Sequence, residues 1–463
     1  MNTRLNRFKW SLFFEYALAT AVLVGALRLA VLTWVNGYFP QPFFFDTDDT
    51  WRDWFSTAIW AHEDGAYDSW LSIYPPLSFA FLKFVGLPSC YEYAPMATVR
   101  DCDWVGVVVM HAIYAINILL TALTFMKIDR ATALARSLTL SICMPMLFGL
   151  ERGNLILLCF TFVVLGFGPL LASARLRWLC VALAVNLKVY LIACVASQLL
   201  RRRWLWVEGV IIAIIGVWLV SFVIYGAGTP LDVYRNISNW AGGSTPSSIL
   251  DIWYPNTYLP LRFVLGESNA PVNVILGSRV VNFALVFMPL TTHLAQVSIV
   301  FAAAITWLRP EVVPPYRLAF FGAALAMVTS ETSTYTQPIV FFFVLMEPWR
   351  GWERIAALVA TYILCIPGDI MISGPTRVQS FSFIGNRFVL AEYAVSLGMI
   401  LRPFLFMLPA YFLSFLTIKD VWLDIRRQGW ATRPRFFSDF PLLPGVAKPS
   451  RISTSQSSEP RKS

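Results

Sequence analysis

The sequence predicts an all-α, polytopic membrane protein with about ten transmembrane helices, a re-entrant or broken hairpin, and short juxtamembrane helices. Composition points there first: of 463 residues, 57% are hydrophobic and 14% charged, against about 25% charged in a soluble globular protein. Apolar runs also recur along the chain at lengths near the ~20 residues that a bilayer core demands. The distribution of charge completes the picture. The net charge of +9 is concentrated at the ends: Arg4, Arg7 and Lys9 at one, and nine Lys or Arg against four Asp or Glu after residue 418 at the other. Residues 35–103 have the opposite balance, with three basic residues (Arg52, Lys83, Arg100) and ten acids. Basic loops stay in the cytoplasm, so both termini are assigned there and 35–103 to the non-cytoplasmic face. The basic residues read as topology, not as a nucleic-acid surface. The expected setting is a bacterial-type inner or plasma membrane.

Residues 11–34 form the first span. The run is long enough to cross and no small-residue cleavage site follows it, so it reads as a retained helix, not a signal peptide. Within 35–103 lies a short apolar piece at 74–88, beginning YPPLSFAFL, of a length suited to lying along the interface. Spans at 104–126, 135–150 and 154–173 follow, turning at Lys127 and Arg130, at Glu151-Arg152-Gly153-Asn154, and at Arg175 and Arg177. Residues 178–200 do not fit a simple crossing, because RLR precedes them and RRR follows. One passage would carry a basic cluster across, and the run is too short to cross twice. A broken or re-entrant hairpin, with Asn186 and Lys188 near its tip, satisfies both constraints, since irregular backbone at membrane depth is tolerated where it lines protein or a watery cavity.

The remaining spans are 205–225, 282–308, 317–330, 338–348, 354–371 and 393–418, with non-cytoplasmic segments near 226–280 and 372–392. Residues 1–418 thus form one membrane domain. Residues 419–463 form a basic cytoplasmic tail, whose Pro-, Ser- and Arg-rich part, 431–463, lacks periodicity and reads as disordered. The sequence has no strong internal repeat, no phosphate-binding glycine loop and no Cys–His zinc spacing. Cys143, Cys159, Cys180, Cys194 and Cys365 lie in apolar runs as packing residues. Cys90 and Cys102 flank CYEYAPMATVRDC. An oxidising compartment permits a disulfide there, and geometry decides whether it forms.

The chemistry concentrates in FDTDDTWRDWF, residues 45–55, which gathers Asp46, Asp48, Asp49 and Asp53. A solvated loop is the plain reading. Phe43 to Phe45, Trp51, Trp54 and Phe55 instead place the stretch at the membrane–water interface. A partly desolvated carboxylate there can act as a general base, and clustered acids can hold a divalent cation. Lys188, an ionisable group deep in an apolar run, is a functional-site candidate by its cost alone.

Three stretches taken together carry a resemblance: DTWRDWFSTAIWAHEDGAYDSW followed by IYPPL, then LERGNLILL, then VALAVNLKVYLIACVASQLLRRRW. They resemble the polyprenyl-phosphate-sugar-dependent glycosyltransferases of the GT-C superfamily, most closely glycosyltransferase family 87, the mannosyltransferase type. The matching positions are Asp49, Gly65 to Asp68, Tyr74-Pro75-Pro76, Arg152-Gly153-Asn154 and Lys188, within residues 45–205. GGSTPSSI (242–249) and SETSTYTQPIV (330–340) stand where the family has an Asn-Gln-Ser-like loop and a Ser-Pro-type stretch; both depart from its pattern. Val189 departs too, standing where a proline usually follows the lysine.

The resemblance implies a GT-C-like fold. It also implies transfer of a hexose, mannose favoured, from a polyprenyl-phosphate donor to a lipid- or glycan-linked acceptor on the non-cytoplasmic face. The chain would act as a monomer among membrane lipids, with no required cofactor and an optional divalent cation. Asp49 is the first choice for the base, because its distance to Gly65 matches the family's usual separation; Asp48 and Asp46 follow. Arg152 (beside Glu151), Asn154, Lys188, Tyr74, Arg377 and Arg387 would bind substrate. Plainer readings stand beside these. Arg152 and Lys188 can snorkel to water, Arg377 and Arg387 can be surface charge, and YPPL can be a locked entry into a helix. His62 and His293 read as structural. The competing class is a transporter or flippase of lipid-linked or anionic substrates, which would also place charge at a helix break near mid-membrane.

Overall fold

Long apolar segments that meet no water must close their backbone hydrogen bonds internally, and in this chain they do so as helices. The structure is a computed structural model describing residues 2–430 except 64, 93–94, 243–252, 267–270, 331, 383 and 386. The tail 431–463 and most of GGSTPSSI therefore lie outside the described residues. The helices in chain order are α1 (Asn2–Asn36), α2 (Arg52–His62), α3 (Pro76–Val85), α4 (Met96–Cys102), α5 (Trp104–Ile128), α6 (Ala133–Ser141), α7 (Met144–Arg152), α8 (Ile156–Phe167), α9 (Ala174–Leu187), α10 (Ala196–Leu200), α11 (Trp204–Tyr225), α12 (Pro230–Gly242), α13 (Leu259–Gly266), α14 (Pro271–Leu276), α15 (Ser278–Thr306), α16 (Pro315–Thr329), α17 (Gln337–Val344), α18 (Trp352–Cys365) and α19 (Gly398–Gln428).

Six stretches are long and apolar enough to cross a membrane: Trp10–Asn36, Trp104–Ile128, Ala133–Arg152, Trp204–Tyr225, Ser278–Thr306 and Gly398–Gln428. The protein is therefore a helical membrane protein. The ten runs read from the sequence divide into these six and four shorter helices: α8, α16, α17 and α18. At 1.5 Å per residue, helices of this length reach roughly 12–23 Å, short of the ~30 Å hydrocarbon core. They are enclosed by protein instead; every residue of α17 is buried. The Ala133–Arg152 stretch is the innermost crossing, with 72% of its most apolar window buried against 11% for α1. Pro145 sits in the first turn of α7, where its missing N–H costs nothing, and marks the break from α6.

The segment 74–88 does not lie along a surface as expected. Its helix α3 buries Phe79 and Leu82 completely and packs against α2 and α11, and five of its first seven residues are buried. A second departure from the expectation is an antiparallel hairpin, β1 (Thr376–Phe381) and β2 (Phe388–Tyr393), paired from Thr376↔Tyr393 to Phe381↔Phe388. It replaces a helix-only architecture in 372–392, and its strands carry Thr, Val, Phe and Tyr, residue types that suit a pleated sheet.

Residues 178–200 do turn back. Helix α9 ends at Leu187, a 3-10 stretch Val189–Val195 and α10 return, and Arg177 and Arg203 line one cavity. The returning arm rests directly on α16: a Cβ at Gly322 would stand 2.2 Å from the Ala193 carbonyl oxygen. Cys90 and Cys102 form a disulfide with Cα atoms 5.7 Å apart, and the other five cysteines are buried and free.

Candidate functional site

The site begins with how the chain turns between residues 46 and 53. Asp46 caps a 3-10 turn, Thr47–Asp49, its carboxylate accepting from the Asp48 amide at 3.1 Å. Trp51 then adopts a left-handed conformation, φ 59°, one that β-carbon sterics make uncommon outside glycine. Its amide donates to the Glu151 carbonyl at 2.8 Å, so the kink is tied to the end of α7. Helix α2 starts immediately after. The result is that Asp49, before the kink, and Asp53, after it, both face Arg152. The turn is also held from behind, where Arg100 of α4 donates to the Thr47 carbonyl at 2.6 Å.

Arg152-Gly153-Asn154 works as a paired helix end and helix start. Gly153 is left-handed at φ 64° and closes α7, its amide donating to Leu150 O and that of Asn154 to Gly149 O. Only glycine fits, since a Cβ would approach Met110 Sδ and Trp54 Cβ to 2.9 Å. The Asn154 Oδ1 then accepts from the Ile156 amide at 2.9 Å, capping α8. These two caps place the Arg152 and Asn154 side chains together over α2.

Arg152 clamps both acids. Its Nη1 donates to Asp49 Oδ2, and its Nη2 donates to Asp53 Oδ1 at 2.7 Å. Asn154 Nδ2 donates to the second Asp53 oxygen at 2.7 Å and lies 3.3 Å from the Tyr74 hydroxyl. Arg52 reaches the remaining Asp49 oxygen at 3.2 Å. Burial would raise the Asp53 carboxyl, but the Arg152 charge, the hydrogen bonds from Arg152 and Asn154, and the Lys188 charge outweigh it and hold it below the usual carboxylate range.

Lys188 stands at the tip of the hairpin, where α9 ends in extended backbone. Its ammonium sits 4.5 Å from the centre of the Tyr74 ring and 5.7 Å from that of Tyr335. Such faces attract a cation, but they leave its N–H donors free of any hydrogen bond or ion pair among the described residues. Two further groups are buried there without a hydrogen-bond partner among those residues: both oxygens of Glu151, and the Tyr190 hydroxyl. The cluster thus joins two paired carboxylates, a shared guanidinium and an ammonium with open donors. Chemically it can take a proton from a hydroxyl and receive an anion.

The sequence candidates sort clearly. Asp49, Arg152, Asn154, Tyr74 and Lys188 converge as expected. Asp46 and Asp48 do not: one is spent on capping, and the other is exposed because the 3-10 turn points it outward. Arg377 and Arg387 do not join either, since the hairpin directs them away. Arg377 pairs with Glu392 at 2.9 Å across the strands with 65% of its side chain exposed, and Arg387 is exposed. The hairpin instead meets the site's approach from one side, with Ser380 donating to the Phe45 carbonyl at 3.3 Å and Tyr393 stacking on Phe45.

Asp53 and Tyr335 were missed as site residues, although Asp53 is four positions from Asp49 in a sequence that turns helical at Arg52. His62 stacks on Tyr91 at 4.1 Å, and His293 lies 3.1 Å from Gln296. Among the described residues, no three His, Cys, Asp or Glu side chains gather as a metal-holding group. No family model, no curated protein and no solved structure matches this chain.

Proposed function

We propose that this protein is an integral-membrane glycosyltransferase of GT-C type. It moves a hexose, mannose first among candidates, from a polyprenyl-phosphate donor to a lipid- or glycan-linked acceptor on the non-cytoplasmic face. The observation that carries the reading is Lys188: an ammonium at a helix break, with open N–H donors, beside two carboxylates clamped by Arg152. An anionic leaving group needs such a partner, and an acceptor hydroxyl needs such a base.

In this reading the acceptor oxygen attacks the anomeric carbon. A new C–O bond forms as the bond to the lipid phosphate breaks, and the electron pair leaves with the phosphate, beside Lys188. The acceptor proton passes to a carboxylate. Asp53 is favoured over Asp49 for that role because one guanidinium, Arg152, holds it and its second oxygen meets the neutral amide of Asn154, beside Tyr74, whereas Asp49 has the guanidinium groups of Arg152 and Arg52 on its two oxygens. Asp49 then orients Arg152. A transporter of anionic lipids is the competing reading, favoured by the helix break at Lys188.

The deciding experiment reconstitutes the protein in vesicles with radiolabelled polyprenyl-phosphate mannose and glucose. Wild type and Asp53→Asn, Asp49→Asn and Lys188→Met are compared at matched protein levels. Label passing to a lipid or glycan acceptor in wild type, and lost in Asp53→Asn, is the expected result. Absence of transfer from either donor, with labelled lipid crossing the bilayer instead, overturns the transferase reading.

A further inference from the structure

We propose that the cavity lined by Arg177, Arg201 and Arg203, at the end of the bundle opposite Asp53, binds a phosphate group. That phosphate belongs either to an anionic lipid headgroup or to a soluble phosphate ester. The site is separate from the one assigned to transfer and does not depend on that assignment.

The cavity encloses about 300 Å³ and is built where helices end. Ile128 closes α5, Phe167 closes α8, Arg177 lies in the first turn of α9, Trp206 opens α11 and Tyr316 opens α16; all of them line it. Helix α8 begins just past Asn154 and α9 ends just before Lys188, so the two sites occupy opposite ends of the same helices. The twelve residues of α8 separate them by about 18 Å.

The convergence of charge is a product of the fold. Arg177 precedes the returning hairpin and Arg201 and Arg203 follow it, and the turn at Lys188 brings both runs to one place. Arg177 is held by its Nε donating to the Leu171 carbonyl at 2.8 Å. Gln198 adds an amide to the wall, and among the described residues no carboxylate lines the cavity. Glu311 acts on Arg201 from outside that lining. A preference for basic residues on one membrane face explains their number, but it does not require three guanidinium groups around one cavity, where they repel. The planar fork of arginine matches phosphate oxygens two at a time, and Arg177 and Arg201 bring two such forks to one cavity. Phe167, Trp206 and Tyr316 supply apolar wall that keeps part of the cavity from water.

The test uses the full chain in phosphatidylcholine nanodiscs and reads thermal unfolding, which needs no transfer activity. One arm titrates inorganic phosphate against sodium chloride at equal ionic strength. The other replaces part of the phosphatidylcholine with phosphatidylglycerol. Stabilisation by inorganic phosphate assigns a soluble ester; stabilisation by phosphatidylglycerol alone assigns a lipid headgroup. In either case Arg201→Gln weakens the effect by about tenfold, the loss of one two-pronged charge-assisted contact. Arg130→Gln, a basic residue near the same end but outside the cavity, leaves it within about twofold. Should Arg201→Gln not fold, Arg201→Lys keeps the charge, removes the fork and is expected to weaken binding in the same direction. A wild-type protein stabilised by neither probe, or equal losses in the Arg201 and Arg130 variants, overturns the proposal.

Discussion

Glu15–Arg136 and Asp49–Arg152–Asp53 are both carboxylate–guanidinium clusters, and they are finished differently. In the first, Arg136 spends its Nε and Nη2 on the two Glu15 oxygens and its Nη1 on the Leu345 carbonyl at 2.6 Å. Tyr362 adds a hydroxyl at 3.2 Å, and the Arg136 and Glu15 side chains are 3% and 0% exposed. Each nitrogen of that guanidinium and each oxygen of that carboxylate has a partner. The second cluster is partly open, with Asp53 at 18% exposure, and its neighbours Lys188 and Glu151 carry polar atoms without partners among the described residues. A closed cluster joins helices, here α1, α6, α17's end and α18. An open one at a helix break keeps capacity for a ligand.

The largest expected effect breaks the closed cluster. Arg136→Ala strands a buried Glu15 and is expected to cost about 3–5 kcal/mol, seen as loss of the monodisperse peak in detergent size-exclusion. Replacing both partners, Glu15→Leu with Arg136→Met, should restore most of that peak. A well-folded Arg136→Ala protein would show that Glu15–Arg136 does not hold these helices together.

The open cluster should behave in the reverse way. Asp53→Asn is expected to lower transfer by about 10²–10⁴-fold, the usual contribution of a general base, while the protein stays folded, its unfolding temperature lowered only by the lost pairing with Arg152. Lys188→Met should lower transfer less, about 10–100-fold, with a stability change near the 0.5–2 kcal/mol of a cation–π contact. Equal losses of stability and activity in Lys188→Met would make it a packing residue.

A smaller effect is expected with pH. The folded state holds the Asp53 carboxyl below its ordinary range, so this group adds stability above its unfolded pKa, about 3.9. That contribution is lost as pH falls through the lower, folded value. Asp53→Asn should therefore flatten the acid limb of the stability curve below about pH 4 and leave its neutral part parallel to wild type. Acid unfolding curves of both proteins check this. The smallest effect is expected of Arg377→Ala: its exposed pair with Glu392 is worth about 0–1 kcal/mol, and transfer should not change. A large loss of transfer would return the hairpin to the site.

Much of this was legible in the sequence because charge in a membrane is costly wherever it falls. RLR and RRR on either side of 178–200 forced a turn, and Lys188 within an apolar run marked its tip. Arg152-Gly153-Asn154 was legible for a related reason, since a polar break between two apolar runs must cap one helix and start the next. The choice among the acids was not. Distance to Gly65 favoured Asp49, but separation along the chain does not report the left-handed turn at Trp51 that swings Asp53 onto the same arginine. Span number was also obscured. Hydropathy records that α17 is apolar, and an enclosed eight-residue helix is as apolar as a crossing one. The β hairpin hid behind its short length, with six residues to a strand.

The contact between Gly322 and the Ala193 carbonyl has a consequence for biosynthesis. The ribosome completes the hairpin well before it makes α16; at ~5–20 residues per second the interval is on the order of ten seconds. During that time the α16 surface on which the returning arm rests is absent, while α9 and α11 already pack against it. Docking becomes available when a residue without a side chain arrives at position 322. The placement of Lys188 against Tyr335 is thus a late event in the life of the nascent chain, completed after most of the membrane domain has been inserted.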